Sequence, residues 1–283
     1  MINKILLAVS GLGHAEEMMK MLADVPSLKE AKVSVLHVVP KQNSSDLMTQ
    51  KWEEGGKILA NAIQYLKLDP TNVSSILREG DPKLIVSQVA DEIDANLIIM
   101  GSRGLKRLQS ILKNSVSQYV FQLSSRPMLL VKDDIYVKRI NRVMVAIDKS
   151  DAAENCLDMA LFLLRDIKGS ELVLTNVAKN ATGKISETSG TSAEDNPIFA
   201  NAITKTKTQG IQYRCITSSG KPGEEICRLA DSNNVDLLLL GSPDRRPSIA
   251  KNLVDIDRLI GASLSDYVRV NATCPVMLVR TLA

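Results

Sequence analysis

Small and hydroxylated residues form two groups in the first half of the chain. The first group is Gly101-Ser102-Arg103-Gly104, and after nine further residues comes Asn114-Ser115-Val116-Ser117. Glycine lets the backbone approach a ligand closely, and the unpaired N–H groups at a helix start favour an anion. This spacing indicates a phosphate or nucleotide site, whereas a simple turn followed by a capped helix is the alternative that the residues leave open. Basic residues in the same segment add positive potential: Arg103, Lys106, Arg107 and Lys113.

The residue types favour few other chemistries. The sequence has no G-x-x-x-x-G-K-[ST] segment, which excludes a P-loop NTPase, and no Ser/His/Asp catalytic set is apparent. His14 and His37 are too few for a multi-histidine metal site; we expect His37 to be structural and His14 to be a capping or solvated side chain. The cysteines form no CxxC pair and are predicted to be buried thiols in a reducing cytoplasm: Cys156, Cys215, Cys227 and Cys274.

Composition excludes several classes of protein. The chain has 283 residues, of which 24% are charged, so a generally disordered chain is excluded. The net charge of 35 − 32 = +3 gives no reason to expect nucleic acid or a membrane surface as a partner, and 3% aromatic residues are too few for a base-stacking platform. The opening residues lack a signal-peptide pattern and no run of about 18 apolar residues occurs, so we expect a cytoplasmic protein.

The chain repeats itself once, because five segments of its first half recur in the same order in the second half. The pairs are Lys4–Ser10 with Arg142–Asp148, Gly80–Pro82 with Gly220–Pro222, Asn96–Ser102 with Asp236–Ser242, Ser115–Val120 with Ser263–Val268, and Pro127–Val131 with Pro275–Val279. We infer a tandem duplication.

The spacing of the matched segments locates an insertion and a boundary. The offset is 138 at the first pair, 140 at the next two and 148 at the last two, so copy two carries an eight-residue insertion between Ser242 and Ser263. The boundary near residues 133–136 predicts domains over residues 1–134 (copy one) and 138–283 (copy two).

Short apolar runs alternate with amphipathic stretches in each copy. In copy one the runs are Ile5–Val9, Val33–Val39, Val73–Leu77, Leu97–Met100 and Met128–Val131. Continuous apolar runs of this length are typical of strands buried on both faces of a parallel sheet. Each copy is therefore predicted to be an open α/β sheet of five strands and four helices. Copy two also has a Ser-, Thr-, Gly- and Asn-rich stretch over residues 179–196, which predicts a flexible loop.

The conjunction of these features resembles the universal stress protein family. The residues that carry the resemblance are Gly101-x-x-Gly104, a nine-residue gap with a small residue after it, and Ser115-Val116-Ser117, all following a strand. The Gly-x-Pro segments and the apolar final strands match the same pattern, and the resemblance covers nearly the whole chain twice. It implies two tandem Rossmann-like domains of the adenine nucleotide alpha hydrolase-like type, each an open five-stranded parallel sheet with helices on both faces.

The resemblance also implies an ATP site in copy one, with Mg²⁺ accompanying the phosphates. Val9 and Ser10 would lie beside the adenosine, and Val38 would contact adenine through its backbone. The ribose and phosphates would be lined by Met100, Gly101, Arg103, Gly104, Asn114, Ser115, Val116 and Ser117. Ser10 stands where the family has aspartate and Asn114 where it has glycine, so we expect weakened binding.

Copy two departs from the family pattern in its glycine loop. Its candidate site residues are Asp148, Val177, Gly241, Ser242, Ser263 and Ser265. Asp244 replaces the second glycine and places a negative charge where phosphates would lie, Ala262 replaces the later glycine, and 17 residues separate the two. Arg245, Arg246 and Lys251 offer an offsetting charge, while residues 246–260 could instead form a surface helix or cover a neighbour. We predict that copy two is degenerate for ATP.

The sequence therefore predicts a nucleotide-responsive stress regulator or sensor, with at most slow ATP hydrolysis and no catalytic residues. A partner-binding adaptor with relic pockets is the alternative, and a sensor that uses the altered loop of copy two is a third. The final strands, Met128–Val131 and Val276–Val279, are candidates for pairing. The resemblance favours an internal pseudo-dimer of the two copies and a further homodimer.

Overall fold

The computed structural model describes residues 2–11, 14–102, 115–132, 135, 139–179, 186–189, 191–242 and 263–280. They fall into two compact units, one built on the strands of copy one and the other on those of copy two.

The first unit is an open sheet of five parallel strands. They are β1 (Lys4–Ala8), β2 (Lys32–Val39), β3 (Val73–Glu79), β4 (Leu97–Ser102) and β5 (Met128–Lys132), in the spatial order β3-β2-β1-β4-β5. Strand order reverses between β1 and β4, which creates a topological switch point there. The prediction of an open α/β sheet is confirmed.

Among the described residues of this unit, four helices connect the strands: α1 (His14–Ala23), α2 (Ser45–Leu66), α3 (Pro82–Glu92) and α4 (Val116–Leu123). A 3₁₀ turn, Pro26–Leu28, follows α1. Contacts between α1 and α2, and between α3 and α4, divide the helices into two pairs, and right-handed crossovers place these pairs on opposite faces of the sheet. The central strands are apolar because both faces are covered; Ile5, Leu6 and Leu7 are completely buried.

The second unit repeats this sheet. Its parallel strands are β6 (Arg142–Ala146), β7 (Glu171–Lys179), β9 (Gln212–Gly220), β10 (Leu237–Ser242) and β11 (Val276–Arg280), in the spatial order β9-β7-β6-β10-β11. The helices are α5 (Asp151–Leu164), α6 (Thr191–Glu194), α7 (Ala200–Thr208), α8 (Pro222–Ser232) and α9 (Leu264–Asn271), with a 3₁₀ turn at Pro197–Phe199.

An additional strand overturns one expectation in copy two. We expected a flexible loop over residues 179–196, yet β8 (Ser186–Ser189) pairs antiparallel with β9, and α6 follows it. The prediction was wrong because this polar stretch has no apolar periodicity of its own. It forms a strand because the edge of β9 supplies unpaired backbone groups.

Helix α2 lies close to its sheet at Gly55. A Cβ atom on Gly55 would lie 3.0 Å from His37 Cδ2, Leu77 Cδ1 and Val39 Cγ2, whereas a Cβ on Gly56 would meet no atom within 4 Å. A methyl group at position 55 would therefore press against three side chains of the sheet, whereas Gly56 only lowers the helix propensity.

This contrast predicts opposite effects for two adjacent substitutions. Gly56→Ala should raise the free energy of unfolding by about 1 kcal/mol through helix propensity. Gly55→Ala gains the same helix propensity, but its methyl group overpacks the contact between α2 and the sheet. The Gly55→Ala variant should therefore be less stable than Gly56→Ala by about 1–3 kcal/mol. Urea denaturation followed by circular dichroism measures both, and equal stability of the two variants would contradict the packing argument.

Candidate functional site

The carboxyl ends of β1, β2 and β4 meet at the switch point of copy one. Ala8 lies opposite Met100 on one side and opposite Leu36 on the other, so the residues that follow β1 and those that end β4 leave the sheet side by side. Ligands of open parallel sheets bind at such a crevice. Among the predicted residues, Val9 and Val38 are buried, and Ser10 is exposed.

The end of β1 is fixed by a histidine. Val9 N donates to Leu36 O at 2.9 Å, and the Val9 carbonyl oxygen accepts a hydrogen bond from His37 Nδ1 at 2.9 Å. Because a carbonyl oxygen can only accept, Nδ1 carries a proton in this arrangement. His37 therefore has the structural role that we predicted, and that role is to donate a hydrogen bond to the Val9 carbonyl oxygen.

Copy two fixes its first strand with a different side chain in the same place. Ile147 N donates to Thr175 O at 2.7 Å, and Asn176 Nδ2 donates to the Ile147 carbonyl oxygen at 2.8 Å. Sequence reasoning missed this function of Asn176. The available signal was a polar residue at the same position of the second strand in both copies.

Helix α4 begins at the predicted phosphate segment of copy one. Ser115 is its N-cap, and the Ser115 Oγ atom accepts a hydrogen bond from Gln118 N at 3.3 Å and lies 3.3 Å from Ser117 Oγ. Ser115, Ser117 and Gln118 are all buried, and no described residue donates a hydrogen bond to Gln118 Oε1. This helix start has hydroxyl groups and a neutral amide, which suit an anion.

The remaining predicted residues of copy one lie partly in β4 and α4 and partly outside the described residues. Met100 is buried in β4, Gly101 is exposed near its end, and Val116 is the first residue of α4. A Cβ atom on Gly101 would meet no atom of the described residues within 4 Å. Arg103, Gly104, Asn114 and the side chain of His14 lie outside the described residues.

The corresponding glycine of copy two has a different role. A Cβ atom on Gly241 would lie 2.8 Å from the Ala152 carbonyl carbon and 2.9 Å from Ala153 N. The close packing against the first turn of α5 therefore explains why a glycine stands at position 241, without any ligand.

At the start of helix α9 of copy two lies a carboxylate of the same helix, that of Asp266. Ser263 is the N-cap; its Oγ atom donates to Asp266 Oδ2 at 2.8 Å and accepts from Asp266 N at 3.1 Å. Ser265 Oγ lies 3.0 Å from Ser263 Oγ and 3.4 Å from Ser242 Oγ. Three predicted residues of the second site therefore meet, but a buried carboxylate lies among them.

The carboxylate is balanced by a cation within the same helix. Arg269 Nη2 lies 3.6 Å from Asp266 Oδ1, and both side chains are nearly inaccessible. Burial lowers the pKa of Arg269, and Asp266 opposes that shift. Counting by the repeat, Asp266 and Arg269 replace Gln118 and Phe121 of copy one (118 + 148 and 121 + 148).

The sequence predicted a negative charge against phosphates at Asp244, which lies outside the described residues, and the buried carboxylate of Asp266 was not predicted. The signal in the sequence was that the acidic residue Asp266 aligns with Gln118 in the repeat. Among the other predicted residues, Asp148 is exposed after β6, where its Oδ1 atom accepts a hydrogen bond from Ser150 N at 2.8 Å. Val177 is half-buried in β7.

Most thiols of copy two are buried, as predicted. Cys156, Cys215 and Cys274 are buried, whereas Cys227 is half-buried, which corrects the prediction at that residue. Burial and Glu194 raise the pKa of Cys215 to about 12, so its thiol stays protonated and unreactive at neutral pH.

The described residues include no cluster of three or more metal-ligating side chains. Within the same residues, no helix is long and apolar enough to cross a membrane.

A family model places the chain among known proteins. The model of the Universal stress protein family matches residues 1–132 and again residues 139–280. The chain belongs to the universal stress protein family. The resemblance inferred from the sequence is confirmed, including its tandem form.

Relatives of the chain match it one copy at a time. The universal stress protein YxiE of Bacillus subtilis is 28% identical over 148 residues, which are 47% of this chain and 100% of that protein. A universal stress protein of Synechocystis is 30% identical over 135 residues, 46% of this chain and 86% of that protein.

A solved structure matches both copies at once. The crystal structure of a universal stress protein from Archaeoglobus fulgidus has a TM-score of 0.75 and 19% identity, and the match covers 98% of this chain and 96% of that one. At this identity the likeness establishes the fold, which confirms the predicted α/β class.

The hydrogen bond from His37 predicts a rescue that uses the solution found in copy two. His37→Leu leaves the Val9 carbonyl oxygen without its side-chain donor, so the free energy of unfolding should fall by about 1–3 kcal/mol. His37→Asn supplies the amide donor that Asn176 supplies in copy two and should recover at least half of that loss. Thermal and urea unfolding measure both variants, and equal losses in both would show that hydrogen bonding is not what His37 contributes.

Proposed function

We propose that copy one of this universal stress protein binds ATP or a related adenine nucleotide and acts as a nucleotide-responsive regulator in the cytoplasm. The observation that carries the proposal is the difference between two equivalent helix starts. Helix α4 begins with buried hydroxyl groups and the neutral Gln118, whereas α9 begins with the carboxylate of Asp266. Only the first leaves the positive end of the helix dipole for a ligand anion.

The described residues fit a nucleotide at this position. The N–H groups at the start of α4 and the hydroxyls of Ser115 and Ser117 would hold phosphate oxygens. No atom of the described residues lies where a Cβ atom on Gly101 would be, which supports a close approach of a ligand to the backbone there. Val9, Ser10 and Val38, at the carboxyl ends of the neighbouring strands, would border the adenosine.

The residues outside the described part belong to the same proposal. Arg103 would add positive charge beside the phosphates, while Gly104 and Asn114 would shape the loop around them. Mg²⁺ would be held by the nucleotide's phosphates, because the described residues offer no cluster of metal ligands. The residues around the helix start bind and orient a ligand, so we propose a binding protein in which any hydrolysis of ATP is slow.

Transfer of the copy-two carboxylate into copy one tests the proposal. Gln118→Asp places a negative charge at the third position of α4, where Ser115 can bond it as Ser263 bonds Asp266. The fold should persist, and the affinity for ATP should fall at least tenfold because the carboxylate occupies the anion position. Isothermal titration calorimetry with ATP and Mg²⁺ measures the affinity.

Gln122→Asp is the matched control. It makes the same charge change on the same helix, one turn further from the N-terminus, and should alter ATP affinity less than threefold at 0.15 M salt, where charges are screened over about 8 Å. If the wild type and Gln118→Asp had equal affinity for ATP, the nucleotide would not bind at the start of α4. Absence of adenine nucleotide binding in the wild type would favour the adaptor function instead.

We also propose that the two copies pair as an internal pseudo-dimer and that two chains associate. The proposal rests on the family resemblance. Size-exclusion chromatography with light scattering should give twice the chain mass of 30.9 kDa, that is 61.8 kDa. A mass of 30.9 kDa over the whole concentration range would contradict the homodimer.

A further inference from the structure

A surface cavity lies at the amino ends of the strands of copy two, at the opposite edge of the sheet from the sites considered above. It has a volume of about 720 Å³, which is within the range of small-molecule sites. Its lining includes Arg142 and Glu171 at the starts of β6 and β7, Asp236 before β10 and Cys274 before β11. Charged and polar side chains make up most of this lining, which suits a charged ligand.

Copy one has an arginine at the equivalent place. Arg126 precedes β5, and its Nη1 atom donates to Asp94 Oδ1 and to the Ala95 carbonyl oxygen, both at 2.8 Å. Its Nε atom donates to Asp91 Oδ1 at 3.4 Å. The guanidinium thus binds the turn that follows α3, where the carbonyl groups and the dipole of a helix end favour a cation.

Copy two keeps this turn but not the arginine. By the repeat, Cys274 stands at the position of Arg126 (offset 148), and Asp231, Asn234 and Val235 stand at those of Asp91, Asp94 and Ala95 (offset 140). The two turns have the same conformation, because Asp94 and Asn234 both lie in the left-handed region, with φ of 53° and 49°. Since the short side chain of Cys274 lines the cavity, the cavity lies where copy one has a guanidinium group.

Asp231 places a negative charge at the C-terminal end of a helix. It is exposed in the last turn of α8, where the helix dipole disfavours a carboxylate. Thr273 Oγ1 donates to Asp231 Oδ1 at 3.0 Å, but no cation of the described residues lies within salt-bridge distance of this carboxylate. Arg126 offsets the equivalent charge in copy one, and a bound cation would do the same for Asp231.

Asp236 has a charge that its structural role does not require. Its Oδ2 atom accepts hydrogen bonds from Asn141 N at 2.9 Å and from Arg142 N at 2.7 Å. In copy one the neutral Asn96 accepts both of the equivalent backbone bonds through its Oδ1 atom. No described residue donates a hydrogen bond to Asp236 Oδ1. The negative charge of Asp236 is therefore available to a ligand in the cavity.

The arginines of the cavity form no salt bridge with these two carboxylates. Arg142 Nε lies 2.6 Å from Glu171 Oε2, and Arg142 Nη1 donates to the Asn233 carbonyl oxygen at 2.8 Å. Arg139 is exposed and forms no ion pair with a described residue. The part of the cavity beside the end of α8 therefore favours a positively charged group, and the part beside Arg139 favours a negative one.

We propose that this cavity binds the guanidinium group of a small molecule, a guanidino amino acid of the arginine type. The guanidinium would donate to Asp231 and to the Val235 carbonyl oxygen, as Arg126 does to the equivalent atoms of copy one. Asp236 would accept a further hydrogen bond, and Arg139 would face the carboxylate of the ligand. The inference concerns the amino edge of copy two and does not require the nucleotide site proposed for copy one.

Calorimetric titration of L-arginine and L-citrulline into the full chain tests the charge of the ligand. The two molecules have nearly the same shape, but citrulline has a neutral ureido group in place of the guanidinium. L-arginine should bind the wild type at least tenfold more tightly than L-citrulline. No arginine binding at millimolar concentration, or equal affinity for the two molecules, would overturn the proposal.

Asp236→Asn tests the location of the site. Because Asn96 forms the same backbone hydrogen bonds in copy one, this variant should fold, and its affinity for L-arginine should fall at least tenfold. Asp195→Asn is the control: it removes an exposed carboxylate of copy two that does not line the cavity, and should change the affinity less than threefold. Arginine binding that is unchanged in Asp236→Asn would rule out this cavity.

Cys274→Arg supplies a guanidinium from the chain itself, as Arg126 does in copy one. This variant should no longer bind L-arginine, whereas Cys274→Ser, which keeps a short side chain, should bind it as the wild type does. Circular dichroism melting verifies that each variant folds. A folded Cys274→Arg variant that still binds L-arginine would contradict the proposed position of the guanidinium.

Acetyl-arginine amide distinguishes a small molecule from an arginine side chain of another protein, because its blocked ends resemble those of a residue within a polypeptide. L-arginine should bind at least threefold more tightly, since only its carboxylate can meet Arg139. Tighter binding of acetyl-arginine amide would overturn the small-molecule ligand in favour of a protein partner. The ATP titration of Gln118→Asp is read separately, so failure of one proposal does not imply failure of the other.

Discussion

Hydrogen bonds at the carboxyl end of the first strand hold the site of each copy together. In copy one, Val9 N bonds to Leu36 O and the Val9 carbonyl oxygen bonds to His37; in copy two, Asn176 bonds to the Ile147 carbonyl oxygen. A strand end would otherwise carry unpaired backbone groups next to a crevice. Because these bonds fix where the chain leaves the sheet, they also fix where the following loop and helix can meet a ligand.

The duplicated scaffold separates the position of a site from its ligand chemistry. Both copies bring the end of the fourth strand and the start of the last helix to the same sheet edge, since this follows from the strand order. The charge at that position is set by single side chains. Gln118 is a neutral side chain in the first turn of α4, whereas Asp266 and Arg269 form a buried pair inside α9.

The buried pair in copy two has a structural consequence as well. A carboxylate that bonds Ser263 Oγ and approaches Arg269 satisfies the start of α9 without an external anion. Removal of one partner alone would leave a buried charge, which costs about 3–5 kcal/mol. The start of α9 is therefore satisfied from within its own helix.

The sequence by itself determined the duplication, the parallel α/β class and the family. These follow from apolar runs and motifs that recur in order, because burial on both faces of a sheet restricts whole segments to apolar residues. Most of the candidate residues of copy one that the structure describes lie at the predicted sheet edge, for the same reason. The strand β8 was not predictable, because its pairing depends on an edge that only the folded β9 provides.

Tertiary structure decided what individual residues contact. Gly101 and Gly241 both precede a serine at the end of an apolar strand, yet a Cβ atom on Gly101 would meet no described atom within 4 Å, whereas one on Gly241 would meet the backbone of α5. His37 and Asn176 differ in type but form the same hydrogen bond, and only the fold brings the start of α9 beside β10, where Ser265 Oγ lies 3.4 Å from Ser242 Oγ. Such roles depend on distances of a few ångströms between segments far apart in the chain, and a local pattern of residue types does not contain those distances.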